Sequence, residues 1–122
     1  MNTGFAASAR TTGSGPVLTF TGELDASTAP AAHDAVQHLA LHAGDQLVLD
    51  LAGLLYCDSS GITTLIAARE RALTTGAGFA LAGVPPHLTR TLGLLGLTAV
   101  FLAYRTTDQA HEAWATAPNA ER

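Results

Sequence analysis

The sequence predicts a single mixed α/β domain, a partly parallel sheet of about four to five strands with about four helices packed on it. Three observations carry this. The chain opens with two short strand-like segments around a cluster of turn formers. Leu47-Val48-Leu49 is a compact apolar run of the kind buried on both faces of a sheet. From there, helical and extended patterns alternate to the end. Alternation of that kind calls for crossover helices, and crossovers set successive strands parallel.

Each element has a local cause. Phe5 to Arg10 and Val17 to Thr21 read as antiparallel strands joined through Thr11-Thr12-Gly13-Ser14-Gly15-Pro16. After a Gly22-Glu23-Leu24-Asp25 loop, Ser27 or Thr28 can cap a helix with Pro30 in its first turn, where a missing N–H does no harm. Ala32, Ala35, Val36 and Leu39 follow at helical spacing, and Gly44 suits the stop. Gln46 to Asp50 is the central strand. Ile62, Leu65, Ile66, Arg69 and Leu73 then recur at the period of a second helix that runs to Gly76. Phe79 to Ala82 forms a strand, Pro85 and Pro86 start a short helix through about Leu95, Phe101 to Tyr104 is the last strand, and Asp108 to Ala115 is the last helix.

Composition bounds the function. With 48% hydrophobic and 13% charged residues in 122, the chain has enough apolar area to offset the entropy of ordering one domain. That domain spans residues 1–122, with an ordered core over about 5–115 and a fraying tail over 118–122. The formal charge is -4 and the six basic residues are scattered arginines, so there is no basic cluster to grip a phosphate backbone and nucleic acid is excluded as a partner. Residues 1–15 lack the charged flank and apolar run of a secretory signal, and no apolar run approaches the roughly 20 residues that span a bilayer, so a cytoplasmic protein without membrane partners is expected. Cys57 is the single cysteine, which excludes an internal disulfide and a multi-cysteine zinc site.

The segment from Leu47 through Cys57 to Asp58-Ser59-Ser60-Gly61-Ile62 carries the chemistry: a buried strand, a loop, then two hydroxyls at a helix start. Unpaired N–H groups and the positive end of the helix dipole favour negative charge there, so a phosphate can sit on such a serine without unfolding the helix. The residues alone leave two roles open, ordinary capping with Gly61 allowing close packing, or a phosphate acceptor. A serine hydrolase is the enzyme-class alternative for Ser60, with His33, His38, His42, His87 and His111 as possible bases, but the Gly-x-Ser-x-Gly elbow is absent. His38 and His42 stand at i, i+4 on the first helix without the glutamate of a zinc motif, and Gly76-Ala77-Gly78 lacks the third glycine of a dinucleotide fingerprint, so neither metal nor cofactor is expected. Cys57 reads as a small buried apolar side chain, and Trp114 as a packing anchor.

Several separated stretches together resemble the STAS family, particularly its free-standing anti-sigma factor antagonists. Gly22-Glu23-Leu24-Asp25 with Thr28-Ala29 resembles the loop before the family's first helix, and Leu49-Asp50-Leu51 with Asp58-Ser59-Ser60-Gly61-Ile62 resembles its signature. Leu92, Gly96-Leu97 and Phe101 match its third helix and the following turn, and Asp108-Gln109-Ala110 its last helix, so the order agrees over roughly Phe5 to Ala115. Thr63 departs from the pattern, standing where many relatives have a smaller residue. The resemblance implies a STAS-type fold and a regulatory protein that is not an enzyme. It implies that Ser60, with Ser59 as the alternative, is phosphorylated by a partner that is both an anti-sigma factor and a serine kinase. The unmodified protein would bind that partner and free a sigma factor; phosphorylation would end the complex, and a serine phosphatase would reset it. Asp25, Asp58, Ser59, Gly61 and Ile62 would form the partner-binding surface. An accessory STAS module of a signalling assembly or a transport system is the alternative within the same fold.

Overall fold

The computed structural model describes residues 4–117; the tail over 118–122 lies outside the described residues. Two antiparallel strands open the chain, β1 (Phe5–Thr12) and β2 (Gly15–Leu24). Both are longer than the turn formers between them imply, and only Gly13 and Ser14 lie outside the ladder. Thr12 explains the difference: its hydroxyl donates to the Gly15 carbonyl at 2.7 Å and accepts from the Ser14 N–H at 3.2 Å, so a polar turn residue stays within the strand.

Helix α1 (Ala29–Gln37) leads to β3 (Gln46–Asp50), which lies parallel to the first half of β2 and to β5 (Gly78–Ala82). The helix ends well before Gly44. Leu39 and Leu41 are both buried, and two leucines two positions apart cannot share one helical face, so the chain leaves the helix to seat both. His42 therefore lies beyond the helix; His38 and His42 approach Asp34 and Asp45 respectively, at 3.5 and 3.6 Å, and do not form a pair on one face.

Leu54–Cys57, read as loop from the sequence, is a fourth strand, β4. Its buried-exposed-exposed-buried pattern hides the alternation of a strand. The cause is tertiary. At Gly22, which takes a φ of +88°, β2 shifts register and leaves β3, and its last residues pair in parallel with β4 instead. Gly22-Glu23-Leu24 thus belongs to a strand and not to a loop. Helix α2 (Ser59–Thr75) follows and ends at Gly76 in the left-handed conformation, φ +88°. Then come β5, α3 (Pro86–Leu94), the two-residue β6 (Ala103–Tyr104) parallel to β5, and α4 (Thr107–Thr116). Phe101, placed in the last strand by the sequence, instead turns into the core against Phe79, ring centroids 6.1 Å apart. The sheet has six strands in the order β1-β2-β3-β5-β6, with β4 off that path on β2.

The sheet is buried on both faces at its centre. Leu18, Phe20, Leu47, Leu49 and Leu81 face the larger core with α1 and α2, whereas Val17, Val48, Ala80 and Ala82 meet Ala110 of α4 on the other side. The alternation along β3 explains why its sequence is apolar throughout. In α2 the buried stripe is Ile62, Leu65, Ala68 and Ala72; Ile66 and Leu73 are 37% and 48% exposed although they share the helical period. We expect Leu65→Ala to cost about 2–5 kcal/mol in urea unfolding and Leu73→Ala under about 1 kcal/mol. Equal losses would show that the stripe is misassigned.

Candidate functional site

The site is built where β2, β4 and α2 meet. Parallel pairing of Leu24 with Cys57 ends both strands at one level, and the Asp58 N–H donates to the Leu24 carbonyl at 3.2 Å. Asp58 then caps α2: its Oδ1 accepts from the Ser60 N–H at 2.8 Å and the Gly61 N–H at 3.2 Å. Two of the N–H groups available to a phosphate are thus already taken by a carboxylate.

Gly61 has no room for a side chain. A Cβ there would stand 2.6 Å from Cys57 Sγ, 2.8 Å from Leu24 Cγ and 3.0 Å from the Leu24 carbonyl oxygen, so the helix can seat on the strand pair only through a glycine. Ile62 is 6% exposed and points into the core. Of the five residues assigned to the signature's surface, Gly61 and Ile62 are thus internal, and the accessible ones on α2 are Ser59, Ser60 and their neighbour Thr63. Burial, with Asp58 adding to it, pushes the Cys57 thiol up to about 12, which fits the inert, apolar reading of this cysteine.

Ser60 is half-buried and its hydroxyl makes no hydrogen bond with the described residues; Ser59 is exposed. The Ser60 side chain lines a shallow open depression with Thr63 and Thr64 on α2 and Ala26, Pro30 and His33 from the segment around the start of α1. His33 shares this depression but makes no hydrogen bond to Ser60. The hydroxyls of Thr63 and Thr64 donate back to the carbonyls of Ser59 and Ser60 at 3.0 and 3.2 Å, which fixes the floor of the first turn.

Asp25 follows a different logic. Its Oδ1 accepts from the Ser27 hydroxyl at 2.7 Å and from the N–H groups of Ser27 and Thr28 at 3.0 and 3.2 Å. Thr28 completes the turn by donating its hydroxyl to the Glu23 carbonyl at 2.8 Å and accepting from the Asp25 N–H at 2.9 Å. Thr28, not Ser27, is the residue before α1, and its side chain ties the turn rather than capping the helix. Asp25 lines a depression of its own with Glu23, Ser27 and Thr28, which does not include Ser60. The Ser27 hydroxyl, with the backbone donors behind it, holds the Asp25 carboxyl below its ordinary value. Among the described residues there is no group of three or more His, Cys, Asp and Glu that could hold a metal, and no helix is long and apolar enough to cross a membrane.

The family model for the Mlab, STAS domain matches residues 7–103, from β1 through the start of β6. The chain belongs to the STAS domain family. Solved structures of the same fold include an anti-sigma factor antagonist from Mycobacterium paratuberculosis, with 28% identity, 92% of this chain and 95% of that one covered, and a TM-score of 0.81. SpoIIAA in its unphosphorylated form covers 93% of this chain and 100% of its own, with 17% identity and a TM-score of 0.72. The phosphorylated form of the Bacillus cell fate determinant SpoIIAA covers 89% and 97%, with 17% identity and a TM-score of 0.65. Among curated protein sequences, none is similar enough to match. The STAS domain is thus shown by the sequence match, and the six-stranded sheet with four helices is that fold.

Two measurements check this geometry. Gly61→Ala should cost about 1–3 kcal/mol, because two of the three obstructing groups belong to the buried Leu24; a neutral substitution would disprove the close seating of α2. A carboxyl held low contributes stability above its unfolded value and loses it as pH falls through the folded value. In an NMR titration the Asp25 carboxyl should therefore protonate at lower pH than an ordinary aspartate and move back up in Ser27→Ala.

Proposed function

We propose that this STAS domain is an anti-sigma factor antagonist switched by phosphorylation of Ser60. The carrying observation is the placement of that hydroxyl: without a hydrogen bond among the described residues, in the first turn of α2, and lining an open depression shared with the segment around the start of α1. A protein docking across α2 and that segment covers the hydroxyl, so the unmodified serine permits contact and the modified one forbids it. Ser59 is the more exposed neighbour but lies outside the depression, which favours Ser60 as the acceptor. The likeness to an anti-sigma factor antagonist at 28% identity supports an anti-sigma factor as the partner; on this reading that partner carries serine kinase activity and a serine phosphatase resets the switch.

The energetics favour exclusion over refolding. A phosphate adds about -1.5 to -2 charges, and each like-charge pair at roughly 6 Å with an effective dielectric near 20 costs about 2–3 kcal/mol before screening. The helix dipole returns only about 0.3–1 kcal/mol. Asp58 already occupies two of the helix's free N–H groups, so the dianion gains little from them and adds to a carboxylate already at the same tip. The fold tolerates this at a half-buried position that opens on a shallow depression, whereas an apposed acidic or closely packed surface does not.

Incubation with the cognate kinase and ATP, followed by peptide mapping, should place the phosphate on Ser60. Ser60→Asp should weaken partner binding about tenfold or more, and Ser60→Ala should bind normally yet resist inactivation. Label on another residue, or full affinity of Ser60→Asp, would reject the switch.

A further inference from the structure

The sheet carries a notch whose chemistry the switch at Ser60 does not use. The β3-β5-β6 ladder stops where the Leu51 N–H donates to the Ala82 carbonyl at 2.9 Å and the Gly83 N–H to the Tyr104 carbonyl at 2.9 Å. Beyond that level β4 continues alone: among the described residues it pairs only with β2, and its other edge has no strand beside it, the Leu54 N–H donating instead to the Leu51 carbonyl at 3.0 Å. An open crevice of about 520 Å³ occupies the gap, walled by Leu54 and Leu55 of β4 on one side and Val84, Pro85 and Pro86 on the other. It lies outside the carboxyl ends of parallel strands, the usual place for ligands on such sheets.

The charge of the crevice is specific. Arg105 and His87 line it, and no carboxylate does. The nearby Asp50 is turned to its own loop, where its Oδ1 accepts from the Ala52 N–H at 3.1 Å. Among the described residues the Arg105 guanidinium forms no ion pair, and His87 Nε2 is screened from solvent without a hydrogen-bond partner. In a chain of net charge -4, this recess is lined by one cation without an ion-pair partner, Arg105, and by no carboxylate. Its edge is apolar and exposed, with Leu55 at 65% and Tyr56 at 49%, and these residues connect it along β4 to Ser59 and Ser60.

We infer that the crevice takes an extended acidic segment of the protein partner, laid along the free edge of β4 with a carboxylate on Arg105. An extended segment supplies the backbone partners that β4 lacks, its apolar side chains cover Leu55, and the recess rejects a basic sequence. A four-residue strand such as β4 spans about 13 Å, enough to fix direction and register. This rests on the reading of the protein as a partner-binding switch, and it adds a second contact that phosphorylation does not touch. The residual contact would hold the kinase near its product while the tip of α2 is repelled.

The test has an arm independent of the partner. A hexapeptide, acetyl-Asp-Val-Asp-Val-Asp-Val-amide, is titrated into the full chain and followed by amide NMR, beside the same peptide with lysine for aspartate. The acidic peptide should shift Leu54 to Cys57, Gly83 and Val84, slow amide exchange along β4, and bind about threefold or more weakly to Arg105→Ala; the lysine peptide should not bind. Equal behaviour of the two peptides, or no shift in either, would overturn the inference. So would inorganic phosphate reproducing the shifts at Arg105 and His87 without any response along β4, which would make the recess a small-anion site. With the cognate kinase, Arg105→Glu should weaken the complex about tenfold while Ser60 is still labelled at saturating kinase. Labelling with unchanged affinity would defeat the crevice alone; absence of labelling in the parent chain would defeat the switch and leave the peptide result to decide the crevice.

Discussion

The seat of α2 on the β2-β4 pair is the constraint on which the rest depends. A helix can approach those strands so closely only because position 61 has no side chain, with Cys57 and Leu24 filling the space a Cβ would need. That approach fixes Asp58 where its carboxylate caps the helix and its N–H closes on Leu24. Ser60 inherits its position from these contacts, two residues past the cap and on the side facing α1. The features that make the tetrapeptide a good helix start also leave the Ser60 side chain at an open depression, so under the proposed switch capping and presentation are a single arrangement.

The same joint explains a division of labour among the acidic residues around it. Asp58 uses its Oδ1 to cap the helix, and Asp25 uses its Oδ1 to tie the Ser27-Thr28 turn. Both are architectural, holding the two segments that frame the depression. Their charges still act at a distance, because a carboxylate at the helix tip raises the cost of placing a dianion beside it. On the proposed reading, the charge change acts at the tip itself, with no moving part needed to transmit it.

The legibility of the sequence followed the range of the interactions. Elements set by local patterning read correctly: β3 from Leu47-Val48-Leu49, the stop of α2 at Gly76, and the start of α3 at its prolines. The signature at residues 58–62 was visible as a helix start. Elements set by tertiary pairing did not read. Leu54–Cys57 has no alternation to betray a strand and exists because β2 changes partner at Gly22. The end of α1 is dictated by the need to bury Leu39 and Leu41 together, and Phe101 leaves the last strand to meet Phe79. At the site, burial divided a contiguous motif that sequence cannot divide, sending Gly61 and Ile62 inward and leaving Ser59 and Ser60 outside. The crevice beside β4 was invisible for the same reason as β4 itself, and nothing in the sequence linked Arg105 to Leu55.

The most direct test of the central claim is the affinity of the cognate anti-sigma factor for the full chain carrying phosphoserine at position 60, measured at low and high ionic strength. Electrostatic exclusion predicts an unchanged fold by amide NMR and a loss of affinity of about tenfold or more that shrinks as salt screens the added charge. Undiminished affinity, or a loss that salt leaves untouched, would contradict it.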